Sequence, residues 1–290
     1  MFYSIMKITF SDFWQYPKAF DSNNNFFIHI IRDLFEDVEI VEPEDADVMI
    51  FSLFGTENGR YKDCKKIFFA GENVKPNFKR CDYSLTFDID DHEGKNFRLP
   101  LWYLYIDWFG VNTYDNPDWL IPESYLYGDS EFTQKKQNKF CSIVYGKQIE
   151  SRINAIKNIS SNYKQVDIFG KANPDYYLPD GEKYKLDLIS NYKFSLCYEN
   201  SVTPGYHTEK LLHGKIAGNI PIYYGDKSIS QDFNPNCFIN AVDMSDEELV
   251  QRIVELDQSD QLYNDMVSQP IFNEKVSLDN VKEFMFEILS

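Results

Sequence analysis

Two basic residues stand where a helix would present positive charge to a bound anion. Lys210 lies near the start of a predicted helix within residues 208–219, and Arg152 lies near the start of another. A helix N-terminus offers unpaired backbone N–H groups and the positive end of the helix dipole, which both favour an anion. Because a lysine in the first turn is unfavourable for an isolated helix, we expect a bound anion to compensate Lys210. Both side chains can donate to phosphate oxygens, so the sequence predicts a phosphate-binding site.

Polar residues in the loop before Lys210 could hold the rest of such a ligand. Asn200 and Glu209 could hydrogen-bond to sugar hydroxyls, and Tyr206 could pack against a base or bond to it. Structural alternatives stay open for each. Asn200 could cap a turn, Glu209 could favour the helix dipole, and Tyr206 could belong to the core.

The elements that would position these residues follow an alternating pattern. Segment 194–225 is predicted as a strand, a polar loop, a helix and a second strand, and it follows other strand and helix patterns that begin near residue 140. The first third alternates in the same way, which favours an α/β fold with largely parallel sheets. A polar stretch at 128–139 is the candidate linker. The predicted divisions are residues 1–130, residues 139–275 and a C-terminal amphipathic helix at 276–290.

Composition argues against several kinds of partner and site. The 290 residues carry 46 acidic and 29 basic side chains, a formal charge of −17, which disfavours nucleic acid as a partner. Five widely spaced cysteines form no C-x-x-C pair, so they predict neither a disulfide framework nor a zinc site. No run approaches the roughly 18 apolar residues of a membrane span. We therefore expect a soluble cytoplasmic protein, with peripheral attachment to an inner membrane as the alternative.

The loop residues also match a family signature. Asn200, Tyr206, Glu209 and Lys210 stand at the spacing Y/F-E-N-x5-Y-x-T-E-K, which resembles the donor-sugar motif of the α-1,3/4-fucosyltransferases, glycosyltransferase family 10. The unit around Arg152 resembles that family's strand-to-helix unit with an arginine near the helix start. The resemblance is dense over residues 140–226. His207 departs from it, because the family more often has an apolar residue there.

What the resemblance implies is an inverting enzyme that uses GDP-fucose. The fold would be a GT-B architecture of two Rossmann-like domains with a cleft between them. The first domain would receive a β-galactoside acceptor such as N-acetyllactosamine, and fucose would pass to O3 of its N-acetylglucosamine, or to glucose in lactose. Arg152, Asn200, Tyr206, Glu209 and Lys210 would bind the donor. No metal or other cofactor would be required, although stimulation by a divalent cation stays open.

A base for the acceptor hydroxyl is implied at Glu72. This residue follows an apolar strand, and ligand crevices in α/β sheets open at the carboxyl ends of strands. Gly71 would permit close approach of a substrate. A strand-end glutamate is ordinary in so acidic a chain, so the assignment depends on the Gly-Glu-Asn triplet, which resembles the family's acceptor-side loop.

Other motifs are weaker, and other functions stay open. Asp88-Ile89-Asp90 has the D-x-D form of some metal-binding glycosyltransferases, but we interpret it as a chance match in an acidic run. The aromatic residues in 102–109 could stack on a sugar or simply fill a core. The alternative functions are transfer from another sugar nucleotide, a catalytically impaired nucleotide-sugar-binding module, and a glycan-binding scaffold.

Overall fold

The computed structural model describes residues 5–15, 18–128, 130–171, 173, 178 and 181–290. The chain forms two compact units. The first comprises the residues up to Leu120 together with Val276–Ser290, and the second is Ile121–Lys275. Within the described residues, no helix is long and apolar enough to cross a membrane.

Most of the regular structure is short strands and helices that alternate along the chain. In chain order the strands are β1 (Met6–Ser11), β2 (Val38–Ile40), β3 (Val48–Phe51), β4 (Lys65–Phe69), β5 (Tyr83–Thr86), β6 (Asn96–Arg98), β7 (Ile106–Asp107), β8 (Ile121–Pro122), β9 (Lys139–Val144), β10 (Val166–Phe169), β11 (Tyr192–Tyr198), β12 (Ile220–Tyr224) and β13 (Ile239–Asn240). The helices are α1 (Phe26–Leu34), α2 (Glu150–Asn162), α3 (Glu182–Ile189), α4 (Glu209–Ile216), α5 (Asp246–Gln258), α6 (Asp260–Val267) and α7 (Asp279–Leu289).

The first unit is built on a six-stranded parallel sheet in the order β2-β1-β3-β4-β5-β6. The side chains of successive residues in a strand point to opposite faces of the sheet, so each strand contributes to the packing on both faces. One face of the sheet, which includes Ile50 and Ile67, shares a core with α1 and α7. The other face, which includes Phe51 and Phe68, packs against side chains from the segments between strands.

The second unit carries a five-stranded parallel sheet in the order β10-β9-β11-β12-β13. Helices α2, α5 and α6 contribute to the core on one face, and α4 packs on β11 and β12 with α3 beside it. Because β10 and β11 lie on either side of β9, the chain order reverses between β9 and β11. Ligands of open α/β sheets bind outside the carboxyl ends of the strands at such a switch point.

Several predicted elements are found in place, and the domain boundaries differ. The predicted C-terminal helix is α7, and α5 begins with a capping box between Ser245 and Glu248. The compact units divide after Leu120 rather than after residue 130. Residues 276–290 belong to the first unit, because Val281 and Met285 of α7 enter its core beside α1.

Candidate functional site

The five predicted donor-binding residues meet at the carboxyl edge of the second sheet. Arg152 lies in the first turn of α2, which follows β9, and Asn200 is the second residue after β11. Glu209 and Lys210 are the first two residues of α4, and Tyr206 lies in the loop before that helix. We call these five residues the corner site. They surround the switch point between β9 and β11.

Arg152 joins the two sides of the switch point. Its side chain is buried, with the residue only 2% exposed. Nε and Nη2 donate to the carbonyl oxygen of Tyr198 at 3.2 and 2.6 Å, and Nη1 donates to that of Lys147 at 3.0 Å. Nη2 also donates to Asn200 Oδ1 at 2.7 Å. Burial lowers the pKa of Arg152, whereas the nearby carboxylates of Glu199 and Glu209 act in the opposite direction.

Lys210 is held by a buried carboxylate that the sequence did not single out. Its Nζ donates to Glu199 Oε2 at 3.0 Å and to Thr208 Oγ1 at 2.7 Å. Glu199 is 3% exposed, and it also accepts from the backbone N–H and the hydroxyl of Thr208 at 2.8–2.9 Å. Burial alone would lower the pKa of Lys210, but Glu199 and Glu209 outweigh it and raise that pKa. The expectation that an anionic ligand alone compensates Lys210 is therefore corrected, since Glu199 already does so.

Glu209 has two cationic neighbours. Its Oε1 lies 3.5 Å from Lys185 Nζ and 3.7 Å from Lys210 Nζ. Burial raises the pKa of a carboxyl group, but here Lys210 and Lys185 outweigh burial and hold the pKa of Glu209 far below its ordinary value. The carboxylate is therefore ionised at neutral pH. It can accept hydrogen bonds from ligand hydroxyls.

Unused donors remain on both cations. A lysine ammonium has three N–H groups and an arginine guanidinium has five. Among the described residues, Lys210 uses two of its donors and Arg152 uses four. Each cation thus keeps one N–H for a ligand oxygen. Tyr206, which is 2% exposed, lies close enough to both cations to affect their pKa values.

The loop before α4 is fastened to the segment that follows β12. Gly205 has φ +80°, a conformation that glycine adopts without strain, and its N–H donates to Asp226 Oδ2 at 2.9 Å. The buried His207 places Nδ1 2.6 Å from Asp232 Oδ2. The residue that departs from the family pattern therefore takes part in holding this loop.

A second glycine lets α4 lie close against β11. A Cβ on Gly214 would stand 2.9 Å from Cys197 Sγ, closer than side-chain contacts allow. The helix that carries Glu209 and Lys210 is thus pressed onto the strand that leads to Asn200. This close packing sets the position of Glu209 and Lys210 relative to the end of β11.

The predicted base lies in the first unit. Glu72 follows β4 and is exposed. Its carboxylate forms no hydrogen bond with another described residue. It lines a cavity of about 230 Å³ together with Trp14, Phe54, Gly71, Leu101 and Tyr105, among others. A Cβ on Gly71 would stand 2.8 Å from Leu101 Cδ1, so the space beside this glycine is occupied by a leucine side chain.

The D-x-D motif serves a structural purpose. Asp88 is 1% exposed and accepts from Lys75 Nζ at 3.0 Å and from His92 Nε2 at 3.1 Å. Burial raises the pKa of a carboxyl group, but the bonds from Lys75 and His92 outweigh it and lower the pKa of Asp88. Across the part of the chain that the structure describes, no group of three or more His, Cys, Asp or Glu side chains is arranged to hold a metal ion.

Comparison with known families accounts for most of the chain. Residues 8–105 match the family described as "Alpha-(1,3)-fucosyltransferase FucT N-terminal domain". Residues 133–268 match "Glycosyltransferase family 10 (fucosyltransferase) C-term". The chain belongs to glycosyltransferase family 10. The resemblance inferred from the motif is thereby confirmed, and the second match contains all five residues of the corner site of this family-10 chain.

Relatives and solved structures agree with this placement. The alpha-(1,3)-fucosyltransferase FucT of Helicobacter pylori is 26% identical over 98% of this chain. The alpha-(1,3)-fucosyltransferase 4 of Bos taurus is 36% identical over 36% of it. These matches span 63% and 26% of the relatives' own lengths. A crystal structure of an alpha1,3-fucosyltransferase with GDP-fucose superposes with a TM-score of 0.77 at 24% identity, covering 99% of this chain and 90% of that one. The predicted GT-B fold with Rossmann-like units is confirmed.

Sequence reasoning missed the residues that support the corner site. Glu199 stands inside the family motif, yet no role was assigned to it. Lys185 lies on α3 and approaches Glu209 only through the packing of α3 on α4. Trp14 and Phe54 line the cavity beside Glu72 from segments distant in sequence. Only Glu199 had a local signal, its position directly after a buried strand pattern and beside Asn200.

Proposed function

We propose that this chain transfers fucose from GDP-fucose to O3 of N-acetylglucosamine, or of glucose, in a β-galactoside acceptor, with inversion at the anomeric carbon. One observation carries the proposal. Arg152 and Lys210 each keep one N–H that no described residue accepts, at the carboxyl edge of the second sheet and within the region that matches family 10. Two convergent cations at a switch point suit the diphosphate of a nucleotide sugar.

The corner site would hold the donor and stabilise its departure. Lys210 and Arg152 donate to the diphosphate oxygens, and their charges offset the negative charge that grows on GDP as the bond to fucose breaks. Glu209, ionised beside two lysines, accepts from sugar hydroxyls. Asn200, whose Oδ1 is engaged by Arg152, retains its amide N–H groups for the ligand. Tyr206 packs against the nucleotide.

Glu72 would act as the general base. Its carboxylate takes the proton of the acceptor hydroxyl while that oxygen attacks C1 of fucose from the face opposite GDP. The new C1–O bond forms as the C1–phosphate oxygen bond breaks, and GDP leaves with the bonding electron pair. An exposed carboxylate that forms no hydrogen bond with the residues the structure describes is suited to meeting a substrate hydroxyl.

The cavity beside Glu72 would seat the acceptor sugar. Its volume of about 230 Å³ and its aromatic lining, which includes Trp14, Phe54 and Tyr105, suit a pyranose ring. A sugar presents its C–H groups to aromatic faces and its hydroxyls to the rim. Glu72 on the same lining would then lie near an acceptor hydroxyl.

We further propose that transfer requires no metal. Lys210 and Arg152 supply the positive charge that a divalent cation would otherwise supply to the diphosphate. Asp88 already has two protein partners and is not free to coordinate a cation.

A donor panel tests the proposal. The purified protein is incubated with GDP-fucose, GDP-mannose, UDP-galactose or UDP-glucose and with N-acetyllactosamine or lactose, with and without EDTA, and products are identified by mass. A deoxyhexose added only from GDP-fucose, and resistant to EDTA, is the expected result. Transfer from another donor would overturn the donor assignment. Tight GDP-fucose binding without any product would identify a binding module instead.

A further inference from the structure

A second cavity in the first unit is strongly basic. It has a volume of about 410 Å³, and its lining includes four cations, one aromatic ring and one carboxylate: Lys62, Lys66, Lys79, Arg80, Phe78 and Asp82. We call it the basic pocket. It shares no lining residue with the cavity beside Glu72. Lys66 and Asp82 lie at the starts of β4 and β5, whereas Glu72 follows the end of β4, so the pocket opens away from the predicted base.

The positive charges around the basic pocket outnumber the negative charges on its wall. In the described part of the chain, none of its four cations, Lys62, Lys66, Lys79 and Arg80, forms an ion pair with a carboxylate. The single carboxylate on its wall is Asp82, whose Oδ2 accepts from the backbone N–H of Lys66 at 2.8 Å. A chain with a formal charge of −17 has carboxylates in excess. Clustering four unpaired cations around one cavity costs repulsion that a bound anion would relieve.

Two of these cations are held in place by hydrogen bonds to the buried Asn58. Lys66 Nζ donates to the carbonyl oxygen of Asn58 at 2.6 Å, and Arg80 Nη2 donates to Asn58 Oδ1 at 3.3 Å. Asn58 is itself 1% exposed, and its Nδ2 and backbone N–H donate to Asp12 Oδ2 at 2.6 and 2.8 Å. Each cation keeps further N–H groups for a ligand. The positions of Lys66 and Arg80 are therefore set by their bonds to Asn58.

The shape of the basic pocket indicates more than an isolated phosphate ion. Its volume falls within the roughly 300–1,000 Å³ of small-molecule sites. Phe78 offers a ring on one wall, against which the C–H groups of a sugar could pack. We propose that the basic pocket binds a phosphorylated saccharide, with the phosphate on the cations and the sugar ring beside Phe78. The inference is independent of the proposed transferase activity.

Calorimetric titration of the whole chain with glucose 6-phosphate tests this inference. We expect saturable binding of one ligand per chain, weaker binding of inorganic phosphate, no heat with glucose, and loss of affinity as salt is raised. Lys62→Met with Lys79→Met should reduce affinity at least about tenfold, since two charge-assisted hydrogen bonds to the phosphate are lost. Both lysines are exposed, and neither ammonium forms a hydrogen bond or ion pair within the described residues, so the fold should be unaffected.

Matched controls keep the result specific. Lys157→Met removes an exposed cation from α2 of the second unit and should leave the affinity unchanged. Lys210→Met, titrated at a temperature where circular dichroism shows it folded, should also leave the affinity for glucose 6-phosphate unchanged, because Lys210 does not line the basic pocket. Absence of heat with glucose 6-phosphate, or binding that the double variant retains, would overturn the proposal. Equal affinity for inorganic phosphate and glucose 6-phosphate would overturn the saccharide part of it. Binding that vanishes in Lys210→Met would place the anion at the corner site.

Discussion

Lys210 Nζ lies 3.0 Å from Glu199 Oε2, and Thr208 Oγ1 contacts both groups. Glu199 is 3% exposed, so its carboxylate meets Lys210 out of contact with bulk water. The side chain of Lys210 therefore has two roles. It neutralises a buried carboxylate, and it leaves one N–H directed to no protein acceptor in the described residues.

Replacement of Lys210 should therefore affect both stability and ligand binding. Lys210→Met leaves Glu199 buried without its cation, and breaking such a pair costs about 3–5 kcal/mol. Affinity for GDP-fucose should fall about tenfold or more, because a charge-assisted hydrogen bond to the diphosphate is lost. Urea denaturation measures the first effect, and titration with GDP-fucose at a temperature where the variant is folded measures the second.

A double variant separates the two roles of Lys210, which are pairing with Glu199 and binding the ligand. Glu199→Gln combined with Lys210→Met removes the unpaired carboxylate, so much of the free energy of unfolding should return while GDP-fucose binding stays weak. Recovery of both properties in the double variant would contradict a direct contact between Lys210 and the diphosphate.

Glu72→Gln should separate chemistry from donor binding. The amide keeps the shape of the side chain but cannot accept the acceptor's proton, so kcat should fall by about 10²–10⁴ while affinity for GDP-fucose is unchanged. Glu36→Gln is the matched control, because Glu36 is also exposed in the first unit. Steady-state kinetics with varied acceptor give the comparison, and wild-type kcat in Glu72→Gln would reject the base assignment.

Phe54 should contribute to acceptor binding. Its side chain is 51% exposed on the cavity beside Glu72, with its ring centroid 6.3 Å from that of Trp14. Phe54→Ala should raise the acceptor KM about two- to tenfold, as expected for the loss of one aromatic packing partner, and leave the GDP-fucose KM unchanged. Phe286→Ala removes another half-exposed ring, 50% exposed on α7, and should change neither constant. Equal effects of the two substitutions would argue against an acceptor site in this cavity.

Acid should weaken the second unit through Asp257. This α5 residue accepts from Lys193 Nζ at 2.7 Å, from Lys164 Nζ at 2.5 Å and from Tyr163 Oη at 2.8 Å. Burial raises the pKa of a carboxyl group, but these three donors outweigh it and lower the pKa of Asp257. A lowered pKa in the folded state contributes stability above the unfolded value, near 4, and this contribution is lost as the pH falls below it.

Asp257→Asn isolates that contribution. At pH 7 the variant should be less stable by about 2 kcal/mol, and the difference from wild type should shrink between about pH 5 and pH 3. Denaturant midpoints measured across that range give the difference. Asp63→Asn, an exposed aspartate in the first unit, is the control of equal charge. A gap between Asp257→Asn and wild type that stays constant with pH would contradict the assigned role.

Local sequence patterns predicted the backbone of the corner site. The apolar run ending at Tyr198, the glycine-containing loop and the helix from Glu209 are found as predicted, because each follows from periodicity and turn chemistry within a few residues. The approach of Arg152 to Asn200 also follows from the pattern, since each residue lies in the segment that follows a strand of one parallel sheet.

Contacts that depend on how loops close were not predictable. Glu199 meets Lys210 only because residues 201–207 fold back and are fastened at Asp226 by the Gly205 N–H. Phe54 reaches the cavity of Glu72 from a segment between β3 and β4. Such pairings are set by tertiary packing, on which the local sequence carries no periodic signal.

The linkage and configuration of a transfer product test the central claim most directly. GDP-fucose, N-acetyllactosamine and the wild-type protein are incubated with EDTA, and the purified trisaccharide is examined by nuclear magnetic resonance. The account predicts fucose on O3 of N-acetylglucosamine, with the anomeric configuration opposite to that in GDP-fucose. A product with retained configuration, fucose on another oxygen, or no product from protein that binds GDP-fucose would contradict it.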